Sequence, residues 1–206
     1  MKNKHVLFIT TLFILLFNFN VKSQLYLGGE AQINVAKADV SWSSDDDYKN
    51  NQSTFKPRIG FLINEKAMLG IEFWVVNQKI ESSNELQNFK TYSFSPFFRY
   101  SFPIVERISF FTHIYGSIGF GNGEVDYDNG WDYYSQEMKY NNYSVGFIPG
   151  FNLSLTKRIN IELTLGNLYY NYSEIEYDDN NDIVFQHNMD FDLNSIGLGV
   201  SYIFKK

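Results

Sequence analysis

Large apolar residues alternate with small or polar residues near the end of the chain. From Ile196 to Phe204 every second residue is large and apolar, and the residues between them begin with Gly197, Gly199 and Ser201. Successive side chains of a β-strand point to opposite faces, so one face of this segment is apolar and the other is small and polar. A barrel strand in a membrane has this arrangement, because lipid lies outside and a narrow, packed lumen lies inside. The pattern therefore predicts a transmembrane β-strand.

The same alternation recurs along the chain and predicts eight strands. The first seven cover residues 25–40, 54–63, 68–80, 91–102, 108–121, 142–155 and 159–170, and the eighth begins near Phe191. The predicted connections alternate between long (41–53, 81–90, 122–140, 171–190) and short (64–67, 103–107, 156–158). Short turns on one side and long loops on the other are typical of outer-membrane barrels, and an edge facing lipid is not tolerated. We predict an all-β, eight-stranded, antiparallel up-and-down transmembrane β-barrel, with the short turns and both termini in the periplasm.

Three prolines lie within the predicted strands. Pro57, Pro96 and Pro149 all fall on outward-facing positions. Proline cannot donate a ladder hydrogen bond, so we expect a local bulge at each of them.

The beginning of the chain has the features of a secretory signal peptide. Lys2, Lys4 and His5 form a basic start, residues 6–17 are apolar, and Val21-Lys22-Ser23 ends in a small residue. This stretch is too short to span a bilayer as a helix. We predict cleavage after Ser23, which gives a signal peptide over residues 1–23 and a barrel domain over 24–206. With 0 Cys, the sequence contains no lipoprotein attachment site, disulfide, catalytic thiol or Cys-ligated zinc.

The net charge of the chain bears on which class of molecule it binds. The formal net charge is −6, and it becomes −9 when Lys2, Lys4 and Lys22 are removed with the signal peptide. This charge argues against nucleic acid, which requires a basic face. Aromatic residues make up 18% of the chain, as expected if rings line both membrane interfaces.

Several segments resemble a known family. The ending with Gly199, Tyr202 and Phe204 is similar to the C-terminal signal of bacterial outer-membrane barrels, although Lys205 and Lys206 follow it. Residues 57–63, 69–72 and 95–100, together with the final strand, resemble the outer-membrane β-barrel domain common in Bacteroidota, related to the OmpA/OmpX type and often grouped as a porin family. The resemblance covers the whole mature chain. It implies an outer-membrane location, insertion by the barrel-assembly machinery, contact with outer-membrane lipid and lipopolysaccharide, and no cofactor.

Charged residues collect on the predicted inward face. They are Glu30, Lys56, Arg58, Glu72, Arg99, His113 and Glu162. An eight-stranded barrel is just wide enough to be filled by its own side chains, and unpaired buried charges are costly. We therefore predict that these residues pair to form a plug. The alternative is an ion path through the cluster, which would make the protein a narrow channel.

An enzymatic alternative rests on histidine and serine. Two enzyme types built on eight-stranded outer-membrane barrels act on the acyl chains of lipid A, and both need a His beside a nucleophilic Ser. His113 has Ser109 and Ser117 four residues away on the same face, and His187 lies in the last predicted loop. Because such a pair is recognised by geometry, the presence of these residues is a weak indication.

The predicted loops are acidic. Oxygen ligands suit Ca²⁺ or Mg²⁺, and the weak candidates for a divalent metal site are Asp126, Asp128, Asp178 and Asp179. The alternative is a solvated, mobile acidic rim. Aromatic residues of the third loop form a candidate carbohydrate-like contact surface: Tyr127, Trp131, Tyr133 and Tyr134.

From these observations we predict a non-enzymatic outer-membrane barrel with a structural or surface-interaction role through its acidic extracellular loops. The alternatives are a lipid A acyl-modifying enzyme and a narrow channel. A soluble ligand-binding barrel would need apolar side chains inside and polar ones outside. The extracellular ligand, the conductance and the oligomeric state do not follow from the sequence.

Overall fold

A computed structural model describes residues 24–39, 47–82, 85–128, 133–177 and 183–204. These residues form eight strands: β1 (Gln24–Asp39), β2 (Asp47–Leu62), β3 (Ala67–Ser82), β4 (Glu85–Val105), β5 (Ile108–Asp128), β6 (Tyr133–Ser154), β7 (Ile159–Tyr177) and β8 (Ile183–Phe204). Neighbours in the chain pair antiparallel, and β1 also pairs with β8, so the sheet closes into a barrel. The predicted fold class is confirmed. The predicted signal peptide, residues 1–23, lies outside the described residues.

The exposed outer face of the barrel is mainly apolar, whereas the charged residues that the structure describes as buried all face inward. On β2, for example, Phe55 and Phe61 are 54% and 52% exposed, whereas Lys56 and Arg58 between them are 5% exposed. Such a distribution is stable when the outer face contacts lipid. It is the opposite of what a soluble ligand-binding barrel requires. In the part of the chain that the structure describes, no helix is long and apolar enough to span a membrane.

The strands are longer than predicted at the end opposite the short turns. The predicted loop over 122–140 is mostly strand, because β5 continues to Asp128 and β6 begins at Tyr133. Residues 47–53, 85–90, 171–177 and 183–190 are likewise strand rather than loop. The prediction of long loops is therefore wrong. Alternation reveals a strand only where outward-facing residues are apolar and inward-facing residues are polar. Beyond the lipid-facing region this difference in polarity is lost, although the backbone pairing continues.

The prolines disturb the ladder less than predicted. The β6–β7 register shifts between Phe147 and Gly150, but the extra residue lies on β7, between Thr164 and Leu168, and Pro149 keeps its regular pairing with Thr112 of β5, so the predicted bulge at Pro149 is wrong. At Pro57 and Pro96 pairing lapses on one side only and then resumes in the same register. The predicted bulges at Pro57 and Pro96 are therefore wrong. A lost donor interrupts the ladder locally without inserting an extra residue.

A bulge in β7 reverses the inward-facing parity of that strand. Gly166 has a φ of 69°, and the β7–β8 register shifts between Leu165 and Asn167. Glycine adopts this left-handed conformation without steric cost, and a bulge of this kind re-aims the following side chains. Glu162 and Thr164 point inward before the bulge, and Asn167 lies within hydrogen-bonding distance of the buried Tyr115 after it.

The seam between the first and last strands closes only part of their length. Pairs between β1 and β8 run from Leu25 with Phe204 to Gln32 with Gly197. Toward the end opposite the short turns, the rest of described β1 pairs only with β2, and the rest of described β8 pairs only with β7. The barrel is therefore fully closed at the level of its charged residues.

The parity of β7 yields a direct test of the lipid-facing surface. Leu163→Arg should place a charge near mid-membrane and lower the free energy of unfolding by roughly 2–4 kcal/mol. Thr164→Ser, on the adjacent inward position, should change it by less than about 1 kcal/mol. Urea unfolding in lipid bilayers measures both values, and equal effects of the two substitutions would contradict the assigned parity.

Candidate functional site

The seven inward-facing ionisable residues predicted from the sequence meet at one level of the barrel. We call this cluster the plug: Glu30 of β1, Lys56 and Arg58 of β2, Glu72 of β3, Arg99 of β4, His113 of β5 and Glu162 of β7. Every member is at most 5% exposed. Alternation carries each side chain to the inner face, and barrel closure brings six strands within contact of a common centre.

Arg58 lies at the centre of the plug. Its Nη2 lies 2.7 Å from Glu30 Oε2, and its Nη1 lies 2.9 Å from Glu162 Oε2. Its Nε makes a longer ionic contact of 3.6 Å with Glu72 Oε2. Lys56 Nζ lies 3.3 Å from the second oxygen of Glu30. One guanidinium thus contacts all three carboxylates, which matches its planar fork of donors.

A second arginine closes the network through a histidine. Arg99 Nη1 donates to Glu162 Oε2 at 2.8 Å, and Arg99 Nε donates to His113 Nδ1 at 3.3 Å. Arginine only donates, so Nδ1 accepts and the ring proton is on Nε2, which lies 3.1 Å from Glu72 Oε1. His113 is then neutral. The three carboxylates of the plug balance Lys56, Arg58 and Arg99, and its net charge is zero.

Aromatic rings that sequence reasoning did not assign to the plug surround it. Tyr26 donates to Glu162 Oε1 at 2.6 Å, and Phe97 stacks on His113 with ring centroids 4.5 Å apart. The Phe111 ring lies 4.2 Å from Arg99 Cζ, and the Trp74 ring lies 4.5 Å from Lys56 Nζ. These cation–π contacts stabilise desolvated cations. Only their positions in the sequence could have placed these rings beside the plug, because all four fall on the inward-facing alternation of their strands.

The glycines of β8 make room for the plug. A Cβ added at Gly197 would lie 2.5 Å from Glu30 Oε1 and would also clash with Thr164 Oγ1. A Cβ at Gly199 would lie 2.8 Å from the Gly29 carbonyl oxygen. The small inward face of the final strand is therefore the space that the Glu30 carboxylate occupies.

The plug divides the lumen into two chambers. The lower chamber, of about 300 Å³ on the short-turn side, is lined by residues that include Tyr26, Arg99 and Phe111. The upper chamber, of about 620 Å³, has Lys56 and Trp74 among its lining residues. It shares lining residues, among them Gln52, Gln78 and Met138, with a further cavity of about 880 Å³. Among the described residues, none lines both the upper and the lower chamber, so the plug separates them.

The lumen is only partly filled. Side chains fill the lumen at the level of the plug, as predicted, but a cavity remains in the upper half of the barrel. The inward-facing residues there include small ones, such as Ser93, Ser117, Gly123 and Ser144. Strand number sets the radius of the barrel, so short side chains leave an empty centre.

Neither His113 nor His187 has a serine hydroxyl hydrogen-bonded to its ring among the described residues. Both ring nitrogens of His113 face plug residues, whereas Ser109 lines the lower chamber and Ser117 the upper one. His187 is exposed on β8, where its Nδ1 lies 2.6 Å from the Tyr170 hydroxyl. No serine hydroxyl bonds to either ring among the contacts of the described residues.

The described acidic residues of the predicted long loops lie on strands. Glu124 accepts a hydrogen bond from Ser135 at 3.0 Å, and Glu174 accepts one from Tyr172 at 3.0 Å. A hydrogen bond from Lys79 lowers the pKa of Glu81 below its ordinary value, and Lys49 Nζ lies 3.5 Å away. Glu81, Glu124 and Glu174 therefore take part in hydrogen bonds or ion pairs with neighbouring strand residues.

Of the four candidate metal ligands, the structure describes the side chain of Asp126 alone. Asp126 and Asp128 lie on β5, but the side chain of Asp128 is outside the description, as are Asp178 and Asp179. Within the described ranges, no three His, Asp or Glu side chains form a group that could hold a metal ion. Of the predicted aromatic surface of the third loop, Tyr127 stacks on Tyr134 with centroids 6.5 Å apart. Trp131 lies outside the described residues.

The C-terminal residues that resemble an assembly signal occupy both faces of β8. Gly199 points inward beside the plug, whereas the outward rings of Tyr202 and Phe204 contact edge to face with centroids 4.7 Å apart. Arg158 Nη1, from the turn between β6 and β7, lies 3.2 Å from the Tyr202 hydroxyl. Lys205 and Lys206 lie outside the described residues.

Comparison with known proteins supports the barrel. The family described as "Outer membrane protein beta-barrel domain" matches residues 9–204. The chain is similar to the translocator domain of autotransporter NalP from Neisseria meningitidis, with 9% identity, a TM-score of 0.58 and coverage of 100% of this chain and 96% of that chain. It is also similar to the attachment invasion locus protein Ail of Yersinia pestis (18% identity, TM-score 0.36, coverage 88% and 97%). OprG from Pseudomonas aeruginosa is a further example (12% identity, TM-score 0.42, coverage 91% and 100%). No curated protein sequence matches the chain. At 9% identity, the similarity to the NalP translocator domain shows the fold alone.

Proposed function

Because this chain belongs to the outer membrane protein β-barrel domain family, we propose that it is a non-enzymatic, non-conducting barrel that acts at the cell surface through its extracellular half. The observation that carries the proposal is the plug. Its three carboxylates contact the side chains of Lys56, Arg58 and Arg99, and it separates the two chambers. An ion entering from either side meets a layer of neutral net charge with no described cavity through it.

The length of the strands supports a surface role. β5 has 21 residues, which corresponds to a height of about 50 Å for a tilted strand, whereas the apolar band of such barrels is about 25 Å tall. Roughly half of the barrel wall therefore stands above the membrane on the side opposite the short turns. Exposed elements on a rigid scaffold are where binding functions concentrate.

Finer assignments belong to the same proposal. We infer that the chain is of the OmpA/OmpX type found in Bacteroidota and that its signal peptide is cleaved after Ser23. Barrel-assembly machinery would recognise the ending with Gly199, Tyr202 and Phe204. Outer-membrane lipid and lipopolysaccharide would cover the apolar belt.

Labelling of whole cells tests which end faces outward. The chain has no Cys, so single cysteines can be introduced without background. Glu137→Cys, on the upper part of β6, should react with an impermeant maleimide, and Lys157→Cys, in a short turn, should react only after the outer membrane is permeabilised. Labelling of Lys157→Cys alone in intact cells would invert the proposed orientation.

A deletion strain tests the function itself. Compared with its parent, it should have altered surface adhesion and unchanged lipid A acylation. Restoring the wild-type gene should restore adhesion, and so should His113→Ala in the fraction of protein that folds. A change in lipid A acylation that depends on His113 or His187 would instead establish the enzymatic alternative.

A further inference from the structure

The upper chamber has an unusual lining for a cavity inside a charged barrel. Among the described residues that line it, nine are Asn or Gln and seven are Ser or Thr, whereas Lys, Arg, Asp and Glu contribute only Lys56, Glu85 and Asp192. A side-chain amide both donates and accepts hydrogen bonds, as a sugar hydroxyl does. Such a wall therefore favours a neutral ligand with many hydroxyl groups over an ion.

The floor of the chamber is aromatic. Trp74 and Tyr115 lie with ring centroids 4.8 Å apart, and Ile148 packs in the same cluster. All three line the chamber. A pocket with an apolar base and a few placed polar groups is the usual form of a small-molecule site. The C–H face of a pyranose ring matches such a floor.

Opposite walls carry buried polar atoms for which the described residues supply no hydrogen-bond partner. Asn142 Nδ2 donates to the Tyr140 hydroxyl at 3.0 Å, and Asn171 Nδ2 donates to Ser173 Oγ at 2.8 Å. The amide oxygens of Asn142 and Asn171 are buried and accept no hydrogen bond from the described residues. Trp74 Nε1, on β3 across the chamber, is likewise buried and without an acceptor there.

These three residues make complementary demands on a ligand. A buried polar group left unpaired costs about 1–3 kcal/mol, so a ligand that satisfies it gains affinity. Two acceptors on the β6–β7 wall require donors, and one donor on β3 requires an acceptor. A hydroxylated ligand supplies both, whereas an apolar ligand supplies neither.

We propose that the upper chamber binds a short neutral oligosaccharide that enters it from outside the cell. This proposal rests on the proposed surface function. The chamber volume of about 620 Å³ lies within the range of about 300–1,000 Å³ typical of small-ligand pockets. Because the plug closes its base, the chamber holds its ligand and does not pass it on. The competing explanation for the unpaired atoms is ordered water alone.

Titration of the full-length protein distinguishes these explanations. The protein is refolded in lauryldimethylamine oxide, which has no sugar head group, and titrated calorimetrically with maltotriose, triacetylchitotriose and mannotriose. At least one of the three should bind with a Kd on the order of 0.1–1 mM, and a sulfated disaccharide should bind more weakly. Asn142→Leu should weaken the binding by about tenfold or more.

The neighbouring position supplies a matched control. Asn141→Leu makes the same substitution on the outward face of β6, where the residue is exposed, and should leave binding unchanged. The proposal is overturned if none of the three sugars binds below about 10 mM, if Asn142→Leu binds as the wild type does, or if the sulfated sugar binds more tightly. Failure of sugar binding in a barrel that does not conduct ions would overturn this inference alone, whereas conductance by the same preparation would overturn the proposed function.

Discussion

Arg99→Ala is expected to lower the free energy of unfolding by about 3–5 kcal/mol, because it removes one partner from a buried ion pair. Glu162 Oε2 loses its 2.8 Å contact with Arg99, and His113 Nδ1 loses its donor. The plug then holds three carboxylates against Lys56 and Arg58, so one negative charge remains uncompensated in a closed space. Reversible urea unfolding in lipid vesicles, followed by the difference in gel mobility between folded and unfolded barrel, measures the change.

Two comparisons separate the charge effect from the loss of a large side chain. Arg158→Ala makes the same substitution at an exposed turn residue and should cost less than about 1 kcal/mol. Adding Glu162→Gln to Arg99→Ala restores the balance of two acids and two cations, so it should recover part of the lost stability. Equal costs for Arg99→Ala and Arg158→Ala would contradict the plug.

Gly197→Val should be similarly damaging, with a loss of about 3 kcal/mol or more, since it combines overpacking with displacement of a buried partner. Its Cβ would occupy the position of the Glu30 carboxylate, 2.5 Å from Oε1. Moving that carboxylate weakens its contacts with Arg58 and Lys56 together. The same unfolding measurement gives the cost.

Gly116 offers a control for the substitution itself. It faces outward on β5, and an added Cβ would meet nothing within 4 Å. Gly116→Val should therefore leave stability within about 1 kcal/mol of the wild type, because valine suits both a strand and a lipid-facing surface. If the two variants lost the same stability, the space beside Glu30 would not be what selects glycine at position 197.

The barrel could be predicted from sequence because lipid and lumen impose opposite demands on alternate residues. This two-residue period predicts that the strands exist and which of their faces points inward. It also places all seven plug residues on the inward face. It does not predict where the strands end, because the contrast disappears where β5 and β6 leave the membrane. The parity change at Gly166 was also missed, since one residue in a left-handed conformation leaves no mark on hydrophobicity.

The connections within the plug could not be read from the sequence. Which carboxylate meets Arg58 depends on the register between strands far apart in the chain, such as β2 and β7. The neutral state of His113 depends on Arg99 facing its Nδ1, a relation set by side-chain geometry. The open upper chamber depends on the volumes of side chains around a radius that is fixed by strand number.

Conductance of the purified wild-type barrel in a planar lipid bilayer tests the central claim most directly, namely that the plug seals the lumen. With a potential applied across the bilayer, we expect no stable conductance steps for the wild-type protein. A small conductance should appear only when the seal is opened, as in Arg99→Ala combined with Glu162→Gln. Large, stable steps from the wild-type barrel would contradict the sealed plug and support the narrow channel.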